Sequence, residues 1–356
     1  MAETAAARSF DPNSAAAGDS GIFGLHNAEP DSAVVYLPVP WEATTSYGGG
    51  TAGAPSAILK ASRQVDLYDG DVLRPYEAGL CLLDESADVR GWNREARADA
   101  EKIIAVGGDR KDSKSLGDAL ERVNAAGERL NEFVRIECLR RMEAGKIVGV
   151  IGGDHAVPFG ALQAAAQIHG EYGVLHFDAH HDLRAAYEGF TWSHASIMRN
   201  ALDQIRHIET LVQVGIRDYC EEELDYCTAQ VDRVRAYYDR MVSRRLFGGE
   251  SWSNIAREIV EHLPEKVWVS LDIDGLDPRF CPHTGTPVPG GLDFNQTNFL
   301  LGEVARSGRH IIGFDLCEVA PAPDGKNEWD ANVGARLLYK LSGWALASQG
   351  KTQVQP

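Results

Sequence analysis

Apolar residues in this chain gather into short runs, and between the runs they recur at helical spacing, which is the pattern of strands alternating with helices. The runs are Ala33-Val34-Val35-Tyr36-Leu37-Pro38-Val39-Pro40, Gly79-Leu80-Cys81-Leu82-Leu83-Asp84, residues 146–151, 173–178, 210–215 and 266–272, and Ile311-Ile312-Gly313-Phe314-Asp315-Leu316. Helices are predicted from Pro55 onward, over about 93–145 (Leu116, Leu120, Val123, Leu130, Phe133, Val134, Ile136 and Leu139 share the spacing), near 158–169 and 195–206, over about 219–262, near 295–307 and over about 330–347. Such a β/α series predicts an α/β fold with a mainly parallel sheet.

Residues 1–30 are rich in Ala, Gly, Ser, Asp and Pro and lack periodicity, so they read as an irregular N-terminal arm, free to pack on a neighbouring subunit. No repeat and no Pro/Ser-rich linker divides the rest of the chain, and residues 31–356 read as a single domain. The run Tyr47-Gly48-Gly49-Gly50-Thr51 has neither the Lys-Ser/Thr ending of a phosphate loop nor a Gly-x-Gly-x-x-Gly context, and is read as a flexible rim beside the active site.

Composition narrows the function classes. At 356 residues and 44% apolar content the chain can bury a large core. Its apolar runs are strand-length and its start lacks a secretion signal, so a cytoplasmic protein is expected, with no membrane partner. A net charge of -17 repels nucleic acid and anionic membrane and modestly favours a cationic small molecule. The six scattered cysteines form no Cys-x-x-Cys pair and read as buried free thiols.

Three of the runs end in Asp and His: Gly152-Gly153-Asp154-His155, Asp178-Ala179-His180-His181-Asp182 and Ser270-Leu271-Asp272-Ile273-Asp274-Gly275-Leu276-Asp277-Pro278. In an open parallel sheet ligands gather outside the carboxyl ends of the strands, so these clusters can converge. Asp178, His180 and Asp182 alternate, and in an extended segment they point the same way. A single such residue is usually a cap or a surface polar group. Four carboxylates brought to one point, however, repel one another unless cations neutralise them. The candidate ligands are His155, Asp178, His180, Asp182, Asp272 and Asp274, more than one structural zinc needs, and a bridging carboxylate allows two divalent ions. Oxygen-rich ligation with two imidazoles suits manganese, with nickel, cobalt, iron or zinc as alternatives.

Together with Thr284-Gly285-Thr286-Pro287, these segments resemble the signature of the ureohydrolase (arginase/agmatinase) family in the family's order, over about residues 33–345. The resemblance implies a three-layer α/β/α sandwich, a binuclear centre of Ni2+ or Mn2+, and hydrolysis of a guanidino carbon–nitrogen bond. It implies that His155, Asp178, Asp182 and Asp272 hold one ion and that Asp178, His180, Asp272 and Asp274 hold the other. An amine leaves badly unless protonated, so a general acid is required; His194 matches the family's proton-shuttle histidine. Glu318 resembles its guanidinium-binding glutamate, since a carboxylate pairs with that planar donor fork. His194, Asp182 and Glu318 are thus the catalytic candidates.

The loop Leu183-Arg184-Ala185-Ala186-Tyr187-Glu188-Gly189-Phe190-Thr191-Trp192 lacks the Asn and Ser that arginases offer to an amino-acid carboxylate. Arginine is therefore a poor expectation. Glu188, Tyr187 and Trp192 are candidate contacts for a compact, alkylated cation, and Tyr36, Trp41 and Tyr47 for a lid. Ser193-His194-Ala195-Ser196-Ile197-Met198, the Asp11-Pro12 arm leading to Gly21-Ile22-Phe23-Gly24-Leu25, and Phe314-Asp315-Leu316-Cys317-Glu318-Val319 are more loosely similar to a ureohydrolase branch that includes nickel-dependent guanidine hydrolase and metformin hydrolase. That similarity orders the expected substrates: guanidine or a small N-substituted guanidine or biguanide first, then agmatine and other guanidinoalkyl compounds. A non-catalytic subunit of a mixed oligomer is the competing class, and a one-zinc amide deacetylase a third. The family habit implies a homo-oligomer, trimer or hexamer, or a hetero-oligomer with a paralogous subunit.

Overall fold

The structure, a computed structural model, describes residues 11–111 and 113–355; residues 1–10 of the expected arm lie outside them. Among the described residues, the seven apolar runs form β1 (Val34–Pro38), β2 (Leu80–Leu82), β3 (Ile147–Ile151), β4 (Tyr172–Phe177), β5 (Ile208–Ile216), β7 (Lys266–Asp272) and β8 (His310–Cys317), and an eighth strand, β6 (Val234–Tyr238), joins them. They make one sheet in the order β2-β1-β3-β8-β7-β4-β5-β6, with every neighbouring pair parallel.

The connections are α1 (Ala54–Ser62), α2 (Ala87–Ile104), α3 (Lys114–Glu143), α4 (Phe159–His169), α5 (Ile197–Gln204), α6 (Glu221–Ala229), α7 (Asp239–Phe247), α8 (Trp252–Glu261), α9 (Phe294–Arg306) and α10 (Trp329–Ser348). Strand alternation sorts the core into two layers. Ile147, Ile151, Leu175, Phe177, Val267, Val269 and Phe314 pack with α1, α8, α9 and α10 on one face. Val148, Val150, Val174, Trp268 and Ile312 pack with α2 to α5 on the other. This is the expected α/β three-layer arrangement.

The sequence reading differs from the structure over 219–262, where one helical stretch was expected. Edge strand β6 interrupts it. Its residues after Val234 are half-buried, so Val234-Arg235-Ala236-Tyr237-Tyr238 lacks the unbroken apolar run that marks a central strand. Full burial of a large apolar side chain contributes roughly 1.5–3 kcal/mol, so the central strands are held far more firmly than this edge.

The segment leading into β1 is not loose where it is described. Ile22, Phe23 and Leu25 are buried, Phe23 meets Tyr36 and Tyr339, and its amide donates to Ser62 Oγ at 2.9 Å. All six cysteines carry free thiols, but only Cys138, Cys281 and Cys317 are buried; Cys81, Cys220 and Cys227 are half-buried. Among the described residues no helix is long and apolar enough to cross a membrane.

Candidate active site

The six expected ligands and Glu318 lie at or just beyond the carboxyl ends of β3, β8, β7 and β4, four adjacent strands in the middle of the sheet, whereas His194 lies in a short turn just before α5. After β3 the backbone runs against Trp41: Asp154 N donates to Trp41 O at 2.8 Å, and a Cβ on Gly153 would sit 1.8 Å from that oxygen. Glycine is therefore required there, and the turn drops His155 behind the sheet edge. The turns after β4 and β7 are tied to each other, since Asp274 Oδ1 accepts from Ala179 N at 3.0 Å. Asp272 Oδ1 accepts from Asp274 N at 2.8 Å, which bends the chain so that both aspartates face one point.

The six expected ligands are brought together. His155 Nδ1 lies 3.1 Å from Asp178 Oδ2, 3.1 Å from Asp182 Oδ2 and 3.5 Å from Asp272 Oδ2. His180 Nδ1 lies 3.4 Å from Asp178 Oδ1 and 3.2 Å from Asp274 Oδ2. Two groups of donor atoms, each within 4.8 Å of one another, thus share Asp178: His155, His176, Asp178 and Asp182, and Asp178, His180 and Asp274. The four aspartates are buried and only His180 is half-open.

Electrostatics shows what this cluster needs. Burial, and next the Asp178 carboxylate, push Asp182 up to about 8. Burial, with Asp274 and Asp178 beside it, drives Asp272 far above the ordinary carboxylate range. Burial opposes charging of His155 and His180, yet the carboxylates around them win and hold both imidazoles well above their usual range. Asp178 goes the other way: burial would raise it, but His176, His155 and His180 outweigh burial and keep it ionised. Protons crowd into the cluster because its negative charge is otherwise uncompensated. Buried carboxylates and imidazoles converging in this way fit divalent cations.

A second layer orients these groups, and sequence reasoning missed it. His155 Nε2 lies 2.9 Å from Ser270 Oγ, which donates at 2.9 Å to Asp315 Oδ1; Trp268 Nε1 donates to Asp315 Oδ2 at 2.6 Å. Because the serine proton is committed to Asp315, His155 donates from Nε2 and keeps Nδ1 free for a cation. His176, Ser270, Asp315 and Gln213 are polar residues inside strands buried on both faces. That is the signal that could have found them, since a buried polar group must have a partner.

Glu318 lies at the base of the cluster, buried and outside the cleft wall, with Oε1 accepting from His155 N at 2.9 Å. Burial, and then Asp154, raise its carboxyl well above the ordinary value, and a cation beside it would restore its charge. Asp182 and Glu318 both have left-handed backbone, φ 56° and 61°, a strain of about 1–3 kcal/mol each that the surroundings hold in place. The Asp182 carbonyl accepts from Met198 N and Arg199 N at the start of α5. At Glu318 the amide donates to Gly153 O and the carbonyl accepts from Thr284 Oγ1.

Above the cluster opens a cleft of about 280 Å³ lined by His180, Asp182 and His194, with Tyr47, Arg184, Tyr187, Asp218, Tyr219, Cys220, Glu223 and Thr286 among its walls. Burial, and next the charge on His180, lower His194 to about 4, so it is neutral near pH 7. Arg184 Nε lies 3.7 Å from Glu223 Oε2, while Asp218 has no partner for its carboxylate among the described residues. The glycine run borders this cleft through Tyr47, with Ser46 just before it, and the chain is held from inside: Glu42 Oε2 accepts from Gly50 N at 2.7 Å and from Ala52 N, just after the run, at 3.2 Å.

Several expected contacts are corrected. Trp192 is not in the cleft wall; its ring packs on Phe159 at the start of α4, with centroids 4.7 Å apart, and against Gly127 of α3. Glu188 is also outside it, turned by a left-handed backbone (φ 52°) against Gly108. Tyr187 does line the cleft. Of the expected lid, Tyr36 is core, its hydroxyl bonded to Ser342 Oγ at 2.5 Å, and Trp41 is buried; Tyr47 alone stands at the mouth, 74% exposed. Arg184, Asp218, Tyr219 and Glu223 were not foreseen as wall residues.

Comparison with known proteins places these observations in context. A family model described as the arginase family matches residues 32–343. The chain is 32% identical over 323 residues to N(1)-aminopropylagmatine ureohydrolase of a Synechocystis species, covering 90% of this chain and 92% of that protein. It is 32% identical to the protein of the same name from Thermus thermophilus, covering 90% and 94%. Its fold is similar to the solved structure of an agmatine ureohydrolase of Thermoplasma volcanium, with a TM-score of 0.68 at 22% identity, covering 91% and 94%.

Proposed function

Because this chain belongs to the arginase family, we propose that it is a ureohydrolase holding two divalent cations in the Asp178 cluster and cleaving the guanidino carbon–nitrogen bond of a guanidinoalkylamine, with release of urea and an amine. The observation that carries this reading is the convergence of four buried aspartates and two histidines beside a cleft that His180 and Asp182 line. Manganese suits the oxygen-rich donor set, and nickel is the alternative. His155, Asp178, Asp182 and Asp272 would hold one ion, and Asp178, His180, Asp272 and Asp274 the other.

When bound, such a pair supplies Lewis acidity, which brings the deprotonation of water into the neutral range. The chain's own residues do the rest. Glu318 has one carboxylate oxygen on the His155 amide and the other left to accept from a guanidinium N–H. His194 starts neutral, so it takes a proton before it gives one. It accepts the proton that water loses and delivers it to the departing amine, which cannot leave as an anion.

The names of the two ureohydrolase relatives support a guanidino group on an aminoalkyl chain over guanidine or a biguanide. The cleft is consistent with this choice: Arg184 is neutralised by Glu223, and the unpartnered Asp218 with the rings of Tyr47, Tyr187 and Tyr219 suits a second cation at the mouth. A urea-release screen over agmatine, aminopropylagmatine, guanidinoalkanoates, arginine, guanidine and metformin, each with manganese and with nickel, tests the reading. The highest kcat/KM should fall on a guanidinoalkylamine. A maximum on guanidine or metformin would restore the small-guanidine substrate, and silence on every compound would remove the catalytic reading.

A further inference from the structure

We propose that Gln213 is a positioning residue for the metal centre: it fixes the tautomer of His176, and through it the Asp178 carboxylate that both ligand groups share. Gln213 lies on β5 directly beside His176 of β4 in the sheet register. Gln213, His176, His181 and Asp178 are all 0% exposed, so water cannot stand in for any of their hydrogen bonds. Gln213 Nε2 lies 2.8 Å from the carbonyl oxygen of His181 and 2.9 Å from His176 Nδ1, and Gln213 Oε1 lies 2.7 Å from His181 Nδ1.

The backbone carbonyl decides the orientation. It can only accept, so the amide group facing it must be the NH2 end. The second N–H of that NH2 then points at His176 Nδ1, which must present a lone pair. The ring proton of His176 therefore sits on Nε2, where it donates to Asp178 Oδ2 at 2.8 Å. Gln213 Oε1, for its part, receives the Nδ1 proton of His181.

The metal centre is affected in two ways. First, Asp178 Oδ2 is held from behind by a donor while Asp178 Oδ1 accepts from the His180 amide at 2.6 Å, so the carboxylate cannot rotate away from its two ions. Second, His176 is kept out of the ligand set. By distance alone its ring belongs with His155, Asp178 and Asp182. With the opposite tautomer its bare Nε2 would face Asp178, repel that oxygen and compete for the ion.

The inference rests on the ureohydrolase reading only in taking the ions to be there. Gln213→Met keeps the volume and removes both hydrogen-bonding ends. Manganese titration of the full-length protein by calorimetry should show two ions per chain in wild type, and in the variant binding weaker by about 10- to 100-fold, the range typical of lost outer-shell partners. Histidine-selective nitrogen NMR of the wild type should find the His176 proton on Nε2, and in Gln213→Met a mixture of tautomers. Manganese affinity unchanged in the variant would overturn the proposal. If the variant fails to fold, the wild-type spectrum still decides, because a His176 proton on Nδ1 overturns it equally. Wild type that binds two manganese ions yet releases no urea from any guanidino compound would sink the reaction and leave this inference standing. Wild type that binds no manganese would sink both.

Discussion

At the scale of single residues, the proposed roles separate groups that would hold the cations from a group that would move a proton. Asp178 faces His155 on one side and His180 on the other, whereas His180 touches only the Asp178 and Asp274 carboxylates. Asp178→Ala should therefore lose both ions and His180→Ala only one, with turnover abolished in each; metal analysis of the purified variants distinguishes them. His194 touches none of the carboxylates closely enough to appear among the candidate ligands. His194→Ala should keep two ions per chain while kcat falls about 10²–10⁴-fold, the usual contribution of general acid–base catalysis. Equal loss of metal in His194→Ala would make that histidine a ligand instead of a proton carrier. The converging aspartates and histidines were legible in the sequence because they cluster at the ends of apolar runs. The cleft walls were not, since Arg184, Asp218 and Tyr219 sit on loops whose direction depends on backbone turns such as that at Asp182.

At the scale of elements, the strand ends do the assembling. The central strands were readable as unbroken apolar runs, and their order in space was not, because pairing of β3 with β8 and β7 with β4 joins segments far apart in the chain. β6 was hidden for the opposite reason: an edge strand need not be apolar throughout. The turn after β3 depends on one small residue. A side chain at Gly153 would strike the Trp41 carbonyl at 1.8 Å, and that oxygen is already held by the Asp154 amide. Gly153→Ala should thus cost more than the ~1–3 kcal/mol of ordinary overpacking. The expected outcome is a lower Tm together with weaker metal binding, since His155 lies two residues later; a thermal melt with and without manganese measures both.

At the scale of the whole molecule, stability and metal loading are linked through protons. In the metal-free fold Asp182 titrates at about 8, against 3.8 for an ordinary aspartate. A group raised on folding contributes stability that is complete below its unfolded pKa and is lost as pH rises through its folded pKa. Asp182 should therefore cost chelator-treated protein stability from about pH 4 to pH 8; His155 and His180, also raised, act in the same direction, and His194, lowered to about 4, opposes them in the acid part of that window. Cations displace those same protons, so binding tightens as pH rises and releases protons. Calorimetric melts should show the gap in Tm between loaded and stripped protein widening with pH; a gap that narrows would mean that the cluster carries no excess protons.

The left-handed turn at Asp182 sets two pressures on the chain against each other. Glycine would relax that backbone and remove a buried acid, so Asp182→Gly should raise the Tm of the stripped protein while removing one of the proposed ligands. A laboratory lineage bred for heat resistance in chelator would drift toward glycine at this position, and one bred for turnover would never leave aspartate.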